Sequence, residues 1–194
     1  LFAVDLATGE ERALTSDGGG TVSYGMAEFV AQEEMYRFTG YWWSPDDRYV
    51  AFTRVDESGV TLVNRYEIGA DGVTTVPQRY PFAGEANATV TLHLLDLRSG
   101  EVRDIPFDAS GDDYLVRVDW SPDGRSIVFT GLLGGISDLY IWEMDSGAVE
   151  RLTGFAQRRV LEVALLTAGA TDEHGADALL VVLRKRGSAL RRLV

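Results

Sequence analysis

Two short turn motifs alternate along this chain, and their spacing constrains the fold more than any other feature. The first is a strand, a tight turn ending in glycine, and a second strand. It occurs as Val4-Asp5-Leu6-Ala7-Thr8-Gly9-Glu10, as Leu95-Asp96-Leu97-Arg98-Ser99-Gly100-Glu101 and as Trp142-Glu143-Met144-Asp145-Ser146-Gly147-Ala148. Apolar residues alternate on either side, as on half-buried strands, and the glycine supplies a positive φ for the turn. The three glycines are 91 and 47 residues apart, and 91 is close to two intervals of 47. A repeat of roughly 40 to 50 residues is the length of a four-stranded propeller blade.

The second motif is Trp42-Trp43-Ser44-Pro45-Asp46-Asp47, repeated as Asp119-Trp120-Ser121-Pro122-Asp123-Gly124. Proline presets φ for a turn, aspartate accepts backbone hydrogen bonds, and Gly or Asp tolerates the left-handed residue that closes it. The tryptophan is large enough to pack one blade against the next. Trp120 precedes Glu143 of the glycine hairpin by 23 residues, whereas Trp43 precedes the equivalent Asp96 by 53. The earlier blade therefore carries an insertion of about 30 residues, over 56–87, with strand-like stretches at 61–68 and 73–76.

These spacings predict an all-β fold, a partial β-propeller of about three to four blades of four-stranded antiparallel sheet. A blade end occupies 1–15, an extended blade 40–106, a blade 114–153 and a further blade 160–194, with strands at 160–166 and 178–183. The chain reads as a piece of a longer protein, because so few blades do not close a ring. One stretch breaks the pattern: 27–38 lacks Gly and Pro and consists largely of helix formers, which predicts a short helical insertion. In a purely local reading Phe29, Val30 and Met35 dock on the blades while Glu33 and Glu34 face water.

Composition narrows the function classes. With 18 basic and 30 acidic residues the net charge is −12, so no nucleic-acid partner is expected. The absence of cysteine removes disulfides and thiolate chemistry, and with His93 and His174 as the two histidines no metal or other cofactor is expected. No apolar run approaches the roughly 20 residues of a membrane span.

At this point the ordered motifs resemble the N-terminal propeller domain of the dipeptidyl peptidase IV family, serine exopeptidases related to prolyl oligopeptidase. The resemblance rests on Asp5-Leu6-Ala7-Thr8-Gly9-Glu10, Phe29-Val30-Ala31-Gln32-Glu33-Glu34-Met35 and Tyr41-Trp42-Trp43-Ser44-Pro45-Asp46. Further along it rests on Tyr80-Pro81-Phe82-Ala83-Gly84-Glu85-Ala86-Asn87, where Phe82 replaces a lysine of the family pattern, and on Val116-Arg117-Val118-Asp119-Trp120. It covers 1–153. It implies that Glu33 and Glu34 bind the free α-amine of a peptide, so that a catalytic domain of α/β-hydrolase type in the same parent chain releases dipeptides. An ammonium is a donor of three hydrogen bonds and an ionised carboxylate only accepts them, which suits the pair to that task. Gln32 departs from the family, where glutamate often precedes the pair. The resemblance also implies a homodimer, and a periplasmic or secreted parent in a bacterium.

No Gly-x-Ser-x-Gly elbow occurs in the chain, so the peptidase triad is absent and the chain alone is expected to be inactive. Ser44 and Ser121 read as turn residues. His93 falls in a strand and His174 in a polar turn, and neither reads as a triad base. Asp17-Gly18-Gly19-Gly20-Thr21 reads as a flexible connection, and Asn87-Ala88-Thr89 fits the glycosylation pattern. Asp108, Asp112 and Asp113 read as a polar connection rather than a calcium loop, and Arg184-Lys185-Arg186 with Arg191-Arg192 as an interface or a charged strand edge. The competing function class is a non-catalytic interaction propeller of the TolB type, which uses similar Ser-Pro-Asp-Gly repeats.

Overall fold

The computed structural model describes residues 1–107 and 113–153, together with the backbone of two short strands near the C-terminal end. In chain order the elements are β1 (Phe2–Val4), β2 (Glu11–Ala13), β3 (Val22–Tyr24), α1 (Phe29–Met35), β4 (Tyr41–Trp43), β5 (Tyr49–Asp56), β6 (Leu62–Gly69), β7 (Gly72–Arg79), β8 (Thr89–Asp96), β9 (Val102–Ile105), β10 (Tyr114–Trp120), β11 (Ser126–Leu133), β12 (Ile136–Glu143) and β13 (Val149–Arg151). The pair β14 (Ala164–Leu165) and β15 (Val181–Val182) completes them. The rest of 154–194, including His174 and the basic cluster, lies outside the described residues, as do Asp108 and Asp112.

Two blade-like antiparallel sheets make up most of the molecule. One is the meander β10-β11-β12-β13; the other runs β3-β5-β8-β9, with β4 also paired to β5. The hairpin β1-β2 stands before them, and β6-β7 forms a separate two-stranded arm between β5 and β8. That arm lies in the insertion between Trp43 and Asp96, and its strands overlap the stretches read as strand-like, shifted by one residue at 61–68 and longer than 73–76.

The turn motifs explain why the strands end where they do. In both Ser-Pro-Asp turns the serine hydroxyl donates to the aspartate two residues on, at 2.6 Å for Ser44–Asp46 and 2.7 Å for Ser121–Asp123. The same hydroxyls accept the N–H of Tyr49 and Ser126, each at 2.9 Å, which pins the start of β5 and β11. The left-handed position is Gly124 in one turn and Asp47 in the other, at φ 66° and 56°. In the glycine hairpins Asp5 and Asp96 accept two N–H groups of their own turn each, and Gly9, Gly100 and Gly147 close at φ 74°, 75° and 68°. The repeat is thus a repeat of local hydrogen-bond chemistry.

The core lies between the two sheets. Ala51, Leu92, Leu94 and Ile105 of the first pack against Leu115, Val118, Ile127, Phe129 and Trp142 of the second. Each large side chain so buried contributes roughly 1.5 to 3 kcal/mol. Two polar stitches fix the sheets' mutual register: Trp120 Nε1 donates to the Trp42 carbonyl at 3.1 Å, and Arg103 lies over the Trp142 ring while donating to the Met144 carbonyl. The tryptophan ahead of the second Ser-Pro-Asp turn therefore joins the sheets, as its size suggested.

Candidate functional site

The helical insertion does not precede the first sheet; it interrupts one of its edges. β3 and β4 lie end to end along β5, with Tyr24 opposite Arg54 and Tyr41 opposite Phe52. Residues 25–40 leave the sheet and return to it at the single intervening residue, Thr53. The Thr53 carbonyl accepts the Gly25 N–H and its own N–H donates to the Gly40 carbonyl, both at 2.8 Å. Its buried hydroxyl donates to the Met26 carbonyl at 2.8 Å, and the Gly40 N–H closes the neck on the Gly25 carbonyl at 3.0 Å. Glycine is required at residue 40: a Cβ there would overlap Thr53 Oγ1 and stand 2.5 Å from the Met26 carbonyl oxygen.

Beyond the neck, α1 is locked at both ends by one ion pair. Glu28, at the N-cap, makes no side-chain capping bond. Its carboxylate instead accepts from Arg37, just past the C-cap, at 2.8 Å, with the two side chains only 4% and 5% exposed. Arg37 also donates to the Thr39 carbonyl at 3.1 Å and to the Leu115 carbonyl at 3.2 Å, the latter in β10 of the neighbouring sheet. The Arg37 N–H caps the Ala31 carbonyl at 3.0 Å, closing a Schellman-type turn. Ala31 is the helix's fully buried contact, and Phe29 packs edge-on against Tyr80, which does the same with Phe82. The insertion is therefore anchored to both sheets and to the 80–82 loop.

Glu33 and Glu34 are both exposed on this anchored helix. Neither has a hydrogen bond or ion pair among the described residues. They sit in its C-terminal half, where no basic residue offsets them and where the helix dipole disfavours negative charge. Gln32, which departs from the glutamate often found at that place, donates its side-chain amide to the Ala27 carbonyl at 2.7 Å. A carboxylate has no proton to donate in that position.

Other residues singled out in the sequence take structural roles. Ser44 and Ser121 are bound into their turns. His93 lies between Thr91 Oγ1 at 2.7 Å and Asp104 Oδ1 at 2.8 Å, stacked on Phe52. That hydroxyl–imidazole–carboxylate order lies on a central strand, β8, which pairs with β5 on one side and β9 on the other. Asn87 donates to the Tyr114 hydroxyl, and Asp113 accepts the Gly134 N–H. The residues that hold the site, Glu28, Arg37, Gly40 and Thr53, carry no local sequence signal. The partners in the ion pair, at Leu115 and across the neck are 9 to 78 residues away.

Comparison with known proteins agrees with this architecture. The family profile described as "Dipeptidyl peptidase IV (DPP IV) N-terminal region" matches residues 1–133. A probable dipeptidyl-aminopeptidase B of Ajellomyces capsulatus (strain H88) is 32% identical over 144 residues, which is 66% of this chain and 16% of that protein. A probable dipeptidyl peptidase 4 of Neosartorya fischeri is 32% identical over 135 residues, 64% of this chain and 18% of that protein. The chain therefore spans less than a fifth of these relatives. Among solved structures, the dipeptidyl peptidase 4 of Porphyromonas gingivalis superposes with a TM-score of 0.72 at 22% identity, covering 98% of this chain and 29% of that one. The chain belongs to the dipeptidyl peptidase IV family and forms part of its N-terminal β-propeller region.

Proposed function

We propose that this region recognises substrate for a dipeptidyl peptidase IV-like serine peptidase. Glu33 and Glu34 bind the free N-terminal amine of a peptide, the propeller restricts access to small peptides, and a catalytic domain elsewhere in the parent chain releases dipeptides. One observation carries the reading: two adjacent, exposed carboxylates without partners among the described residues stand on a helix that a buried ion pair and a stapled neck hold against two sheets. A rigid pair of acceptors sets where an ammonium sits, and that position sets which peptide bond reaches a nucleophile. The parent's assembly as a homodimer belongs to the same proposal.

The test is the double substitution Glu33→Ala and Glu34→Ala in the full-length parent, assayed on matched peptides with free and N-acetylated termini. Each charge-assisted hydrogen bond lost is worth about 1.5 to 3 kcal/mol, so preference for the free amine collapses by at least tenfold. Unchanged preference contradicts the proposal.

A second reading, the non-catalytic TolB-like interaction propeller, draws on the β6-β7 arm. Leu62, Tyr66, Ile68 and Val73 share one exposed apolar face there. A Gly-x-Ser-x-Gly elbow followed by Asp and His in the parent's coding sequence decides for the peptidase.

A further inference from the structure

Tyr36 joins the helix to its buried lock, and it has two features that folding does not ask of a tyrosine. Its backbone is left-handed, with φ 53° and ψ 35°, a region in which a Cβ crowds the next carbonyl and glycine is the least strained residue. Its side chain is 78% exposed, and neither ring nor hydroxyl has a partner among the described residues. The left-handed turn itself is needed. It reverses the chain so that Arg37 can cap Ala31 and reach Glu28. Glycine would make that turn with less strain, so the ring is not explained by the fold.

Its surroundings suggest what the ring is for. Glu33 and Glu34 lie three and two residues earlier, in the last turn of the helix that Tyr36 ends. The strained position is fixed from both sides, by half-buried Met35 and buried Arg37, the condition under which such strain persists at binding sites. In a peptide the α-amine and the first side chain leave the same carbon. A site that holds the amine therefore brings that side chain against whatever stands beside the clamp.

We infer that Tyr36 is a specificity-determining residue of this site, its ring forming an apolar wall for the side chain of the peptide's first residue. The inference rests on the amine-binding reading of Glu33 and Glu34. A tyrosine ring offers a large, rigid apolar surface and a hydroxyl that remains in water.

The experiment measures dissociation constants of the full-length parent for Gly-Ala, Leu-Ala and Phe-Ala, with Tyr36→Gly, Tyr36→Asn, Tyr36→Phe and Glu33→Gln variants. Glycine and asparagine both accept the left-handed backbone, so these variants keep the thermal midpoint of the parent or raise it. They weaken Leu-Ala and Phe-Ala about tenfold and Gly-Ala less than twofold, while Tyr36→Phe keeps the original preference. Equal changes for all three dipeptides, or none, overturn the inference and leave Tyr36 a helix cap. Glu33→Gln weakens all three alike. If it weakens none, the amine-binding reading falls instead, whatever the Tyr36 variants show.

Discussion

Replacing Arg37 with methionine removes the partner of a buried carboxylate, and the structure sets the size of the effect. Arg37 and Glu28 are almost fully buried, 2.8 Å apart. Breaking such a pair from one side costs about 3 to 5 kcal/mol, because the remaining charge stays desolvated. For a domain of this size that lowers the thermal midpoint by roughly 6 to 20 °C. Removing both charges, as in Glu28→Met with Arg37→Met, costs much less. The Glu28 side chain makes no capping bond, so what remains is the pair of donations to Thr39 and Leu115, each worth about 1 kcal/mol. Thermal unfolding of the four members of this cycle gives the coupling directly, and hydrogen exchange across 25–40 reports whether the helix loosens first. A single-variant loss below about 1 kcal/mol, or a double variant as unstable as the sum of the singles, refutes the claim that the pair locks the helix.

Further perturbations test the neighbouring parts. Gly40→Ala forces a Cβ into Thr53 and the Met26 carbonyl and is expected to cost at least about 2 kcal/mol, read by chemical denaturation. Gln32→Glu exchanges a donor to the Ala27 carbonyl for an acceptor and is expected to cost about 1 to 3 kcal/mol, seen as a lower unfolding midpoint. Acid titration probes the turns. Serine hydroxyls, followed by backbone N–H groups, hold the carboxyls of Asp46 and Asp123 below their ordinary value near 3.8, the Arg48 guanidinium does so for Asp96, and the Thr8 and Ala7 N–H groups for Asp5. A carboxyl lowered in the fold stabilises it fully above its unfolded value and loses that contribution as pH falls through the lower folded value. Stability is therefore expected to hold down to about pH 4 and decline below it, and Asp46→Asn with Asp123→Asn should flatten that decline.

The fold was legible where its chemistry is local. Ser-Pro-Asp turns and Asp-to-Gly hairpins satisfy their own hydrogen bonds within five residues, so their repetition in sequence is repetition in structure. The helix was legible from composition, and motif resemblance singled out the glutamate pair proposed as the clamp. The neck was not. That 25–40 leaves and re-enters the sheet at Thr53 depends on β3 and β4 sharing one edge of β5, a pairing across distant segments. Arg37 read as one basic residue among many, because its acceptor on Leu115 lies 78 positions away and appears only when the two sheets meet. The departure at Gln32 became intelligible only once its partner, a carbonyl, was in place.

The central claim is that Glu33 and Glu34 are held ready for an ammonium. A crystal structure of the full-length parent with a bound dipeptide tests it most directly. The peptide's amine is expected within about 3.2 Å of both carboxylates, with 25–40 tied to Thr53 and the Glu28–Arg37 pair intact. A dipeptide bound with its amine away from both glutamates, or an insertion that has left Thr53 to reach it, would contradict the account.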